Sequence, residues 1–241
     1  SKVHSVDLFG KALMDYYTDQ SRGLLRSRSS LNTLEEVPAS YFFRDFESMP
    51  ALEQEALRQC RGSVLDIGCG VGSHCLYLQK TGRDCTGMDS SSEAIKIALK
   101  RGVESASCSD ILKYQSRKYD TLLLMMNGIG IAGTLKGLPV FLGHLKTLLK
   151  PGGQILMDSS DLIYMFDADE DGGVWVPGDV AYYGEVSYQW EYDGQIGPTF
   201  PWLFLDFNTL KNEVAMLGFE VEMIMKGPHF DYLARLTPLS M

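Results

Sequence analysis

A glycine-rich turn and a series of spaced carboxylates are the residues of this sequence best suited to chemistry. Val64 to Gly72 reads VLDIGCGVG, an apolar run that ends in Gly68, Gly70 and Gly72 and leads into helical residues from Ser73. Glycines let a backbone turn tightly and approach a ligand, and the helix that follows offers free N–H groups and a positive dipole end. Such a turn suits a carboxylate, a phosphate or another anion. Asp89 closes the next apolar run in CTGMDSS, where its carboxylate can accept both hydroxyls of a ribose diol while Ser90 or Ser91 caps the following helix. Asp110 in CSDIL follows a third short run, with a turn-forming role as its structural alternative.

A second group of polar residues lies further along. Asn127 follows the apolar run YDTLLLMM and precedes Gly128, so it serves either a ligand or a turn. Asp158 and Asp161 flank Ser159 and Ser160 at the end of another strand, with Asp161 the first choice as a base and a helix cap as the rival reading. His229, in a tight turn, is a candidate for proton transfer and is equally well explained as a surface residue. Asp167, Asp169, Asp171 and Gly172 imitate the opening of a calcium loop, but Gly178 stands where its bidentate glutamate is required, which leaves a solvated acidic turn.

The elements that position these residues follow from periodicity. Val6, Phe9, Leu13, Tyr16 and Tyr17 recur at helical spacing, Ser21 to Ser30 reads as a polar connection, and Pro50 opens a second helix that ends at Arg61-Gly62. From Ser63 strands alternate with helices: VLDIG, Ser73 to Lys80, Cys85 to Met88, Ser92 to Arg101, and a short strand near Val103 to Ala106. Tyr119 to Met126 reads as a central strand, Leu135 to Leu149 as a helix stopped by Pro151-Gly152-Gly153, and Gln154 to Asp158 as a fifth strand. The alternation predicts a parallel sheet built from right-handed crossovers. After the helix Asn208 to Leu217, the strands Phe219 to Lys226 and Phe230 to Leu236 are separated by Gly227, Pro228 and His229 alone. A parallel pair needs a crossover of about a dozen residues, so the last strand must run antiparallel.

This order resembles the class I S-adenosylmethionine-dependent methyltransferases, with VLDIGCGVG matching their first motif and the likeness extending from Ser63 to Thr237, about three quarters of the chain. The resemblance implies an α/β fold: a seven-stranded, mostly parallel, doubly wound Rossmann-like sheet with an antiparallel last strand, N-terminal helices and a small antiparallel insertion before the penultimate strand. It implies S-adenosylmethionine as cofactor, S-adenosylhomocysteine as product, and cofactor contacts from Asp66, Gly68, Cys69, Gly70, Gly72, Asp89, Ser90, Asp110, Ile111 and Asn127. Asp66 would support the loop and the methionine amino group, and Asp110 with Ile111 would receive the adenine. Arg44, in YFFRDF, pairs the methionine carboxylate if that segment covers the cofactor, and stays solvated if its aromatics pack on the sheet.

The boundaries expected are a helical cap over 1–62, a cofactor-binding core over 63–162, an aromatic-rich insertion over 163–206 and a closing helix and hairpin over 207–241. Val186, Tyr188, Trp190 and Tyr192 alternate with polar residues, so part of the insertion is a strand that ends in the turn Asp193-Gly194, serving as a substrate lid or pocket wall, or as a satellite core or dimer surface.

Two other functions compete. A dinucleotide oxidoreductase would use G-x-G-x-x-G, but Ser73 stands in place of the third glycine. A noncatalytic binder of the same cofactor is the other. The formal net charge of -9 repels phosphate backbones, and Asn127-Gly128-Ile129-Gly130 departs from the N-P-P-Y pattern of base-directed amino methyltransferases, so a small-molecule acceptor is expected and nucleic acid is not. The five cysteines form no C-x-x-C pair, so neither zinc nor another metal is expected, and no apolar run is long enough to span a bilayer. A cytoplasmic location follows as the default expectation.

Overall fold

The computed structural model describes residues 6–166 and 180–240. The acidic turn with Asp167, Asp169, Asp171, Gly172 and Gly178 lies outside the described residues. In chain order the elements are α1 (Leu8–Tyr17), β1 (Arg26–Ser29), β2 (Leu34–Glu36), α2 (Ala51–Gln59), β3 (Val64–Ile67), α3 (Ser73–Lys80), β4 (Cys85–Asp89), α4 (Ser92–Arg101) and β5 (Ala106–Cys108). They continue with β6 (Tyr119–Leu124), α5 (Leu138–Thr147), β7 (Leu149–Ser160), β8 (Glu185–Tyr192), β9 (Gln195–Ile196), β10 (Phe200–Leu203), α6 (Phe207–Met216), β11 (Phe219–Lys226) and β12 (Asp231–Pro238).

Seven strands form a mixed sheet in the order β11-β12-β7-β6-β3-β4-β5. The pairs β3–β4, β4–β5 and β6–β7 are parallel, whereas β12 is antiparallel to both β7 and β11. The short 227–229 turn therefore acts as expected: it returns the chain between β11 and β7. Strands β3 and β6 are mostly apolar and almost wholly buried, as central strands covered on both faces must be.

Contacts divide the chain into two compact units. The first comprises Ser1–Pro50, Arg61–Ser116 and Ser187–Phe200, and holds α1, β1 to β5, α3 and α4. The second comprises Ala51–Cys60, Arg117–Val186 and Pro201–Met241, and holds α2, β6, β7, α5, α6 and the β11–β12 hairpin.

In the first unit, α1 buries Leu8, Ala12 and Leu13, with Leu13 joining Val71, Ala94 and Ile97 in one apolar cluster. The polar stretch Ser21 to Ser30 is a correction to the sequence reading: its second half is strand β1, paired antiparallel with β2 and β8. Backbone pairing and the ion pair of Arg28 with Glu191 at 2.6 Å hold this strand without an apolar pattern, which is why periodicity missed it. The strand over Val186 to Tyr192 is present, and Asp193 and Gly194 both adopt positive φ, as a two-residue hairpin turn to β9 requires.

In the second unit the helix read over Leu135 to Leu149 is shorter, starting at Leu138, and β7 runs through Pro151-Gly152-Gly153 from Leu149. No helix among the described residues is long and apolar enough to cross a membrane.

Candidate cofactor and acceptor sites

The glycine turn leaves the buried strand β3 and wraps toward the end of β4. Gly70 sits at φ +55°, a left-handed conformation that costs a side-chain-bearing residue energy, and a Cβ placed there would meet no atom within 4 Å. Its N–H donates to Asp89 Oδ2 at 2.9 Å, while Ser91 N–H donates to Asp89 Oδ1 at 2.8 Å. Ser91 also caps α4 by accepting from Ala94 N–H, so Asp89 is released from capping. Burial pushes the Asp89 carboxyl above its ordinary range, the N–H groups of Ser91 and Gly70 oppose that rise, and the charge of Asp7 adds to it. Each Asp89 oxygen thus holds one backbone N–H and keeps lone-pair capacity for a further donor.

Asp66 is buried within β3 and accepts the Cys75 thiol at 3.5 Å. Burial, followed by the charges of Asp66 and Asp89, pushes the Cys69 thiol far up, so Cys69 remains a protonated wall of the turn. Asp110 takes the Asx role weighed for it, accepting Leu112 N–H at 3.0 Å, yet stays exposed beside buried Ile111. Ser90 is exposed next to Asp89.

One feature lay beyond the sequence reading: Ser109 Oγ is buried without a hydrogen-bond partner directly before Asp110. A buried unpaired hydroxyl is costly and is the kind of group that an incoming polar ligand helps to satisfy. Open space at Gly70, the anchored Asp89 and the Ser109–Asp110–Ile111 edge together fit a nucleoside with a ribose diol.

The segment over 39–46 packs on the same unit. Ser73 Oγ donates to the Phe42 carbonyl at 2.6 Å, and Arg101 Nη1 donates to the Val71 carbonyl at 2.8 Å and to Ser73 Oγ at 3.0 Å. The Arg101 guanidinium also lies over the Phe43 ring at 4.9 Å. Arg44 donates to the Tyr41 carbonyl at 2.6 Å and covers the Tyr41 ring at 3.8 Å. Sequence reasoning named Arg44 but missed Ser73 and Arg101, whose partners lie about 30 residues away with no periodic signal.

The second unit gathers the other candidates. Met126 and Asn127 both adopt positive φ where the chain leaves β6, a strained corner for two residues with side chains. Asn127 N–H donates to Asp158 Oδ1 at 2.9 Å, and Ser160 Oγ donates to Asn127 Oδ1 at 3.3 Å, so Asn127 and Asp158 belong to one network. Asp161 accepts Ile163 N–H at 3.0 Å and the Tyr183 hydroxyl at 2.8 Å. Next to Tyr183, Tyr182 donates its hydroxyl to Asp206, the cap of α6.

Burial and then Asp206 push Tyr182 up to about 12, and burial and then Asp161 push Tyr183 higher still. For Asp206 burial alone acts upward, but hydrogen bonds from Thr209, Tyr182 and Tyr183 outweigh it and hold the carboxyl below its usual range. Asp161 and Asp206 line a cleft of about 530 Å³ with Phe207, Phe230, Asp231 and Tyr232, a volume in the range of small-molecule sites. His229 is exposed, its N–H donating to Asp231 Oδ1 at 3.1 Å, and its side chain is not among the groups lining the cleft.

The family model for the methyltransferase domain matches residues 41–222. Among solved structures, an S-adenosylmethionine-dependent methyltransferase from Bacteroides fragilis, in complex with S-adenosyl-L-homocysteine, is 40% identical, with a TM-score of 0.90 over 100% of this chain and 98% of that one. A probable (S)-tetrahydroprotoberberine N-methyltransferase of Papaver bracteatum is 31% identical over 133 residues, 48% of this chain and 36% of that protein. A ubiquinone biosynthesis O-methyltransferase of a Chelativorans species is 30% identical over 122 residues, 48% of this chain and 44% of that protein. The chain thus spans less than half the length of these two curated relatives.

Proposed function

The chain belongs to the methyltransferase domain family, and on that premise we propose that it moves the methyl group of S-adenosylmethionine to a small-molecule acceptor, releasing S-adenosylhomocysteine. The observation that carries this reading is the Asp89 carboxylate, fixed between the N–H groups of Gly70 and Ser91 beside a left-handed glycine turn. Asp89 with Ser90 would hold the ribose hydroxyls, Asp110 and Ile111 the adenine, and the turn Gly68, Cys69, Gly70 and Gly72, backed by Asp66, the methionine end. Arg44 and Asn127 are the further cofactor contacts in this reading.

S-adenosylmethionine supplies a methyl group already activated on a sulfonium sulfur. The chain therefore has chiefly to orient an acceptor and exclude water. Asp161, Asp158 and Asn127 are the residues proposed to meet the acceptor, with Asp161 as the base, and the aromatic cleft at Asp161 and Asp206 supports a compact organic acceptor. His229, exposed and outside the residues that line the cleft, has the weakest support of the four positions. One of the similar curated proteins is an N-methyltransferase and the other an O-methyltransferase, so the reading names no acceptor atom. The net charge of -9 supports a partner other than nucleic acid, and the free buried thiols support a reducing, cytoplasmic setting.

Titration calorimetry of the purified chain tests the reading. S-adenosylhomocysteine should bind with a measurable enthalpy and NADH should not. Binding of NADH with no response to S-adenosylhomocysteine would overturn the proposal in favour of an oxidoreductase. A screen of metabolites with labelled methyl donor then identifies the acceptor, and a cofactor that binds with no transfer across a broad screen would leave a noncatalytic binder.

A further inference from the structure

Helix α1 begins at a polar contact that reaches beyond its own first turn. Asp7, its cap, accepts Gly10 N–H with Oδ1 at 2.8 Å and the Ser91 hydroxyl with Oδ2. Ser91 in turn accepts Ala94 N–H at 3.1 Å and donates its own N–H to Asp89 at 2.8 Å. Asp89 closes the series on Gly70 N–H at 2.9 Å. An unbroken chain of hydrogen bonds therefore runs from the first turn of α1 through the cap of α4 to the glycine turn.

Gly10 makes the approach of the two helix starts possible. A Cβ at this position would overlap the Asp7 carboxylate and come within 2.5 Å of Ser91 Oγ. Glycine inside a helix normally costs about 1 kcal/mol relative to alanine. Here it is kept at a buried position where any side chain would separate Asp7 from Ser91. Below this contact Leu13 packs on Val71, a residue of the glycine turn itself, so the polar chain and the apolar cluster fix α1 to the same loop.

We infer that Asp7 and Gly10 are positioning residues for the cofactor: through Ser91 they set the orientation of Asp89, so that docking of α1 and binding of the cofactor favour each other. The inference rests on the methyltransferase reading above. Coupling of two such elements is reciprocal, so a ligand that fixes Asp89 must also hold α1 more firmly.

The test uses the full chain with S-adenosylhomocysteine as probe. Calorimetry on Gly10→Ala and Asp7→Ala should give affinities lower by about tenfold, within the usual range for coupled sites. Asp7→Asn keeps both the cap and a hydrogen bond to Ser91 and should bind within about twofold of the parent. A purely structural α1 predicts instead lower melting temperatures without ligand and unchanged affinity of the folded protein. Should either variant fail to fold, amide hydrogen exchange of the parent protein decides: residues 8–17 should gain protection when S-adenosylhomocysteine is added. Unchanged affinity in folded Gly10→Ala and Asp7→Ala, or no gain in protection, overturns the inference. If the parent chain does not bind the probe at all, the methyltransferase reading fails first.

Discussion

The Asp89 carboxylate accepts the Gly70 N–H at 2.9 Å, so the acid that ends β4 also braces the turn that leaves β3. Replacing Asp89 by Ala removes this brace together with the proposed ribose contact. Hydrogen bonds to a charged partner contribute about 1.5 to 3 kcal/mol each, so S-adenosylhomocysteine affinity should fall by at least about tenfold. Burial has raised the Asp89 pKa, which means that its carboxylate is protonated at a higher pH than an ordinary aspartate. Affinity should therefore weaken on acidification while other carboxylates are still ionised, and Asp89→Asn should bind weakly with that part of the pH dependence gone. Calorimetry at a series of pH values checks both, and a parent affinity that stays flat down to the ordinary aspartate range, about 3.9, contradicts the assignment.

Gly70 and Gly72 should respond differently to alanine. Both have positive φ, but a Cβ at Gly72 lies 2.5 Å from Val103 Cγ2 and 3.2 Å from the Ala98 Cβ, whereas one at Gly70 meets open space. Gly72→Ala should lower folding stability by about 1–3 kcal/mol through strain and overlap, measured by urea unfolding without ligand. Gly70→Ala should cost less stability and more S-adenosylhomocysteine affinity, because its methyl group enters the space assigned to the ligand. Equal stability losses with equal affinities would argue that the turn does not face the cofactor.

How much of this was legible in the sequence depended on how local each signal was. The apolar patterns of α3 and α4 and the serine cap of α4 lie in or beside the segments themselves, and both helices fall where they were read. The antiparallel position of β12 followed from a three-residue turn, a limit set by chain geometry. Strand β1 was missed because its register is set by β2 and β8, the latter more than 150 residues away, and carries no apolar alternation of its own. In the site, Asp89 could be named from its place at a strand end, but the link from Asp7 to Ser91 joins positions 84 apart and needs the folded chain to be seen. The same holds for Tyr182 and Tyr183: they lie in the aromatic stretch that the sequence marked, while Asp206 at its far end and Asp161 just before it lie 24 and 22 residues from the tyrosines they bind.

The Tyr182–Asp206 pair should appear at both ends of the stability curve. Tyr182 has a folded value raised to about 12, so its contribution is complete below the ordinary tyrosine value of about 10 and is lost as pH rises between the two. Asp206 is shifted down, so its contribution is present above about 3.9 and disappears as pH falls through the lower folded value. Urea midpoints for Tyr182→Phe should decline less steeply on the alkaline side than those of the parent. Those for Asp206→Asn, which keeps the α6 cap, should decline less steeply on the acid side. Parallel curves for parent and variants at both extremes would remove the pair from the account.

The Tyr183 hydroxyl donates to Asp161, the residue proposed as the base. Burial and the neighbouring Asp161 keep the Tyr183 hydroxyl protonated, so at neutral pH Tyr183 donates to the carboxylate and cannot itself take a proton from an acceptor. Asp161 Oδ1 already receives both Tyr183 and Ile163 N–H, which fixes the carboxylate's orientation and leaves Oδ2 as the oxygen available for proton uptake. If Asp161 is the base, Asp161→Asn should lower kcat by about 10²- to 10⁴-fold with S-adenosylhomocysteine affinity unchanged. Tyr183→Phe removes the orienting bond but keeps the base, so its loss should be smaller. Rates measured with an acceptor from the labelled-methyl screen separate the cases. An Asp161→Asn enzyme with the parent kcat means that positioning alone carries the transfer, and that Asp161 serves the fold by capping the turn at Ile163.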